Sequence, residues 1–132
     1  MGIRLVITVL CGVGLYAAIF MLRKTQRAER GELTEPSVVE TPRARLFASI
    51  PNALIGTAYY PMVAVAVWFA HTPLTIAVLL AAVAFAAATS LVLMYSLLFV
   101  TRMPCPFCWT SNITNCTLAV CTSMLWLNAS WR

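Results

Sequence analysis

Polar and apolar residues are segregated along this chain into long blocks rather than alternating. From Leu46 to Thr101 there is no Asp, Glu, Lys or Arg, and from Met103 to Trp131 there is none either. A charge at mid-bilayer costs about 2.5 kcal/mol or more, so long uncharged runs are the signature of lipid-embedded helices. The blocks predict four transmembrane segments, at about 5–22, 51–70, 74–100 and 105–127, with a polar loop over 23–50. Pro51 suits a first helical position. His71-Thr72-Pro73 and Arg102-Met103-Pro104 punctuate the later segments, and Trp126 and Trp131 supply interfacial aromatics near the end. The expected fold is an all-α, integral membrane four-helix bundle forming one domain over residues 1–132.

The first segment has a rival reading. Arg4, an apolar core and Ala17-Ala18 have the outline of a signal peptide, although a retained span is the reading adopted. Four spans would put both termini on one side and the polar loop and Arg102 turn on the other. The only histidine, His71, would then sit on the face opposite that turn, as an interfacial residue.

Composition sharpens this. The 132 residues are 61% hydrophobic and 10% charged, against about 25% charged in an ordinary soluble domain. The net charge of +5 does not point to nucleic acid, because six of the nine basic residues share the polar loop with all four acids (Glu29, Glu32, Glu35 and Glu40). That mixture suits a solvated connector beside lipid headgroups. Seven basic residues fall on the loop side, which by the positive-inside rule would be cytoplasmic, whereas a disulfide-handling site favours an oxidising compartment.

Cys105-Pro106-Phe107-Cys108 opens the fourth segment. Unpaired backbone N–H groups and the helix dipole at a helix start stabilise a thiolate, the reactive form. Arg102 adds a cation three residues earlier, and one helical turn brings two sulfurs within reach of a disulfide. Inert thiols and soft-metal binding are the competing readings. Cys11, Cys116 and Cys121 read as small core hydrophobes. Asn112, Asn115 and Ser111 make the first turns of this helix polar, as in a functional lining or a contact with a partner helix. Asn112 and Asn115 also begin glycosylation triplets, discounted because they lie within a span. Met94, Tyr95 and Trp109 are candidates to frame an apolar pocket, or simply to pack.

Three stretches together resemble the vitamin K epoxide reductase family: Arg4-Leu5 through Leu15-Tyr16-Ala17 with its basic sequel, Val38-Val39-Glu40-Thr41-Pro42 followed by Phe47-Ala48-Ser49-Ile50-Pro51-Asn52-Ala53-Leu54-Ile55-Gly56, and the Cys-Pro-Phe-Cys motif. The resemblance implies a membrane oxidoreductase that couples thiol oxidation to reduction of a quinone of ubiquinone, menaquinone or phylloquinone type. It implies catalytic Cys105, which exchanges with a partner, and catalytic Cys108 on the quinone side. Asn52 would bind the quinone, and Asn112 stands at the position of a family tyrosine. Thr41 replaces a loop serine. The family's loop cysteine pair is absent, Glu35 standing where its second member belongs, so an internal relay to Cys105 is not available. The expected partners are membrane lipid and a thioredoxin-like thiol protein or a larger membrane complex. The expected setting is a bacterial inner membrane, with an ER-type membrane as alternative. The contrasting reading is a non-catalytic accessory subunit of such a complex.

Overall fold

In the computed structural model, which describes residues 2–31, 45–47, 50–102 and 106–131, four long helices form the body: α1 (Gly2–Glu29), α2 (Asn52–Phe69), α3 (Pro73–Ser96) and α4 (Pro106–Ser130). A five-residue π-helical turn, Leu97–Thr101, extends α3. Ahead of α2, the strands β1 (Arg45–Phe47) and β2 (Ile50–Pro51) pair antiparallel. The chain is an all-α membrane bundle, with this strand pair confined to a connection.

Three helical stretches are long and apolar enough to cross a membrane: Gly2–Glu29, Asn52–Phe69 and Pro73–Val100. Helix α4 is 25 residues long, enough for a bilayer at about 1.5 Å per residue, but it carries more polar side chains. Those polar groups turn inward. Asn112, Thr114, Asn115 and Thr122 are all buried, and Val120, Met124 and Leu127 are among the residues left exposed for lipid.

The polar loop was expected to begin at residue 23, yet α1 runs on to Glu29. Arg23, Lys24, Gln26, Arg27, Ala28 and Glu29 are good helix formers in water, so leaving the hydrocarbon does not end the helix. Gly31, at φ 71°, accompanies its end. The third segment stays α-helical only to Ser96; the π turn follows, and Arg102 adopts a left-handed conformation with its N–H on the Leu97 carbonyl.

The joint between α2 and α3 is tight and well capped. Thr72 and Thr75 cap each other's backbone N–H groups, and Pro73 occupies the first turn. Across the same end, Arg4 of α1 donates to the Val67 carbonyl at 2.7 Å and the Ala70 carbonyl at 2.8 Å, and the Trp68 indole donates to Thr8 at 3.1 Å. A guanidinium thus satisfies carbonyls at the negative end of the α2 dipole. Replacing Arg4 with Met is expected to destabilise the protein by about 1–3 kcal/mol, read as a lower melting temperature in detergent.

Helices α1 and α4 form the middle of the bundle, α1 packed against α2 and α4, and α4 against α1 and α3. The buried positions of α1 recur at helical spacing: Ile7, Cys11, Gly14, Ala18 and Thr25. Small residues let α1 and α2 approach closely. The ring of Tyr60 lies where a side chain at Gly14 would sit, and a Cβ at Gly56 would stand 3.2 Å from that of Ala18. Between α2 and α3 the packing is sparse beyond their joining turn. The helix pairs therefore run α2–α1–α4–α3, leaving one flank open.

Candidate functional site

The space left by that open flank is a cavity of about 380 Å³, lined by all four helices. Its size falls in the usual range for small-molecule sites, about 300–1,000 Å³. Helical periodicity explains the lining. Asn52, Gly56 and Tyr60 recur every four residues on α2. Ala82, Ala86, Ser90 and Leu93 on α3, and Cys108, Asn112 and Asn115 on α4, recur at steps of three or four. Phe85 lines the same space yet is 69% exposed, so the cavity communicates sideways with lipid.

The structure brings Asn52, Cys108 and Asn112 to this one cavity. Cys105 lies outside the described residues, as do Glu35, Val38 and Thr41 of the loop. Cys108 sits in the first turn of α4 and is disulfide-bonded, whereas Cys11, Cys116 and Cys121 are free thiols. Phe107, the residue before Cys108, stacks on Phe20 of α1 at 3.9 Å between ring centroids, with Tyr16 at 6.4 Å. These rings dock the start of α4 against α1. The side chain of Arg102 donates to the Phe99 carbonyl at 3.4 Å.

Met94, Tyr95 and Trp109 do not line the cavity. Tyr95 is 63% exposed and packs on Phe99, so it belongs to the lipid-facing surface; one helical residue away from the lining stripe, a side chain points elsewhere. His71 is exposed at the α2–α3 turn.

Tyr60, Ser90 and Asn115 were not identified together from sequence. The Tyr60 hydroxyl donates to Asn115 Oδ1 at 3.0 Å, and the Asn115 amide donates to Ser90 Oγ. This chain of bonds ties α2, α4 and α3 together across the bottom of the cavity. The signal that would have found them is the four-residue step along α2 from Asn52 to Tyr60, and the Thr89-Ser90 pair in the apolar run of α3.

Two further hydroxyls stand out. Tyr59 Oη and Ser96 Oγ are buried and have no hydrogen-bond partner among the described residues, and both residues line the cavity. An unpaired buried hydroxyl costs about 1–3 kcal/mol. No charged side chain lines the cavity among the described residues. The site is therefore apolar and neutral, with a few hydrogen-bonding groups and one cysteine sulfur at its wall. It suits an uncharged ring with polar oxygens, and the unspent donors are the observation that fits such a ligand.

The model of the Vitamin K epoxide reductase family matches residues 5–123 of this sequence. No curated protein matches the chain. The match runs from the first turns of α1 almost to the end of α4, taking in every wall of the cavity, and on that extent the chain belongs to the vitamin K epoxide reductase family.

Proposed function

We propose that this protein is a membrane thiol–quinone oxidoreductase in which Cys105 and Cys108 form the redox pair. A thiol–quinone oxidoreductase type of function is supported at the level of the family. The observation that carries the finer reading is the position of Cys108, disulfide-bonded and on the wall of an uncharged cavity that opens to lipid. With Cys11, Cys116 and Cys121 free, the sequence leaves Cys105 as the partner of Cys108.

The chemistry balances as follows. A thiolate of a reduced partner protein attacks the Cys105 sulfur, the Cys105–Cys108 bond breaks, and Cys108 leaves as thiolate. The second partner thiol attacks the partner's own sulfur in the mixed disulfide and releases Cys105, so the partner is oxidised and the pair is a dithiol. Re-forming the Cys105–Cys108 bond releases two electrons and two protons. A quinone, when bound, supplies the sink for both and leaves as hydroquinone. The N-terminal end of the α4 dipole favours negative charge on Cys108. Asn52 and Asn112, neutral donors on α2 and α4, hydrogen-bond a quinone oxygen as charge develops there. The apolar lining excludes water from the exchange.

The chemistry places the Cys-X-X-Cys face on the oxidising side of its membrane, a bacterial inner membrane in this reading. Without loop cysteines, the partner thiols reach Cys105 directly. The test is purified protein in detergent with a short-chain quinone and a reduced thioredoxin-like donor. Wild type is expected to form hydroquinone, and Cys105→Ser is expected to form none. Absence of turnover by wild type, together with co-purification in a stable complex, would instead support the accessory-subunit reading.

A further inference from the structure

Hydroxyls on these helices have a consistent habit. Thr8, Thr25, Thr57, Thr89, Thr110, Thr117, Thr122 and Ser123 each donate to the carbonyl four residues earlier. Such back-bonding is how a hydroxyl is satisfied inside lipid without a tertiary partner. Ser90 instead accepts from Asn115. Ser96 does neither. It is only 2% exposed, its oxygen has no partner among the described residues, and it lines the cavity. It is also the last residue of α3 before the π turn, and π-helical segments are concentrated at functional sites.

We propose that Ser96 is a ligand-binding residue whose hydroxyl donates to the second oxygen of a ring ligand bearing two. A 1,4-quinone carries its oxygens on opposite edges. Asn52 and Asn112 line the cavity from α2 and α4, and Ser96 lines it from α3, across the sparsely packed α2–α3 seam. Gripping both oxygens makes the site selective for the two-carbonyl ring over a one-carbonyl analogue, because a ring lacking the second oxygen leaves the Ser96 donor buried and unpaired. This inference rests on the quinone reading above.

The test uses the full-length oxidised protein in detergent, where no turnover occurs, and follows the shift in thermal melting on titration with a short-chain 1,4-naphthoquinone or its mono-ketone analogue. Wild type is expected to bind the quinone about tenfold more tightly than the mono-ketone. Ser96→Ala is expected to weaken quinone binding roughly five- to tenfold and to erase that preference. Ser96→Thr, which keeps the hydroxyl, is expected to retain it and decides the matter if Ser96→Ala does not fold. A wild-type preference that survives in Ser96→Ala, or that is lost in Ser96→Thr, overturns the role of Ser96 while leaving the quinone site standing. Wild-type protein that binds the mono-ketone as tightly as the quinone does the same. Failure of wild type to bind any quinone overturns both.

Discussion

Replacing Cys108 with serine is expected to lower quinone-linked thiol oxidation about a thousandfold or more, since the variant keeps the cavity but loses the sulfur at its wall. Removing an essential nucleophile costs far more than removing a residue that only positions substrate. A serine hydroxyl is not a thiolate and cannot close a disulfide, so neither half of the exchange can finish. The effect belongs in kcat, because Asn52, Asn112 and the apolar walls remain to bind the ring. The variant should therefore retain a quinone-induced rise in melting temperature while losing turnover. Turnover that persists in Cys108→Ser would mean that electrons pass by a route that does not involve this sulfur. Loss of the melting shift along with turnover would mean that Cys108 holds the cavity open rather than doing chemistry in it.

The second large effect is structural. Gly14→Ala is expected to cost about 2–4 kcal/mol, an unusually high figure for adding one methyl group to a helix. The added Cβ would collide with the ring of Tyr60 rather than with the tip of a flexible chain. Tyr60 is itself 2% exposed and its hydroxyl is committed to Asn115. Moving the ring breaks that bond, which in turn loosens Asn115 from Ser90 and parts three helices at the cavity's base. Gly56→Ala meets only the Ala18 methyl, at 3.2 Å, and is expected to be milder. Gly12→Ala meets nothing within 4 Å and is expected to be neutral or to stabilise by up to about 1 kcal/mol through helix propensity. Melting temperatures of the three variants in one detergent give the ranking, and equal values for Gly12→Ala and Gly14→Ala would sink the argument.

The sequence was most informative where one physical force acts alone. Exclusion of charge from hydrocarbon marks the apolar segments, and Pro73 flags a helix start, where its missing N–H costs nothing; Pro51, expected as a first helical residue, instead ends β2, and α2 begins at Asn52. Asn52, Cys108 and Asn112 were singled out from motifs, and all three line one cavity. Hydrophobicity marks the end of the apolar span near Leu22 but not the end of the helix, because Arg23 through Glu29 are helical in their own right. The π turn after Ser96 leaves no mark in a run of Leu, Phe and Val. Tyr60, Asn115 and Ser90 are separated by 55 and 25 residues along the chain, and no local pattern pairs them. For Tyr95 the sequence left cavity framing and packing open: an aromatic in a span suits both, and only the helix's rotation decides, here for the exposed face beside Phe99.

The order α2–α1–α4–α3 leaves α2 and α3 only sparsely packed on each other. In a bilayer, lipid chains are the molecules available to fill that seam, and they would then act as a structural component. Any hydrophobic molecule that fits the gap acts as a wedge that strengthens the fold in proportion to its occupancy. Such molecules arrive by two-dimensional diffusion from a phase where they are already concentrated. Under the quinone reading, modest affinity would then suffice, and selectivity would rest on the ring that enters the gap rather than on a tail left in the lipid.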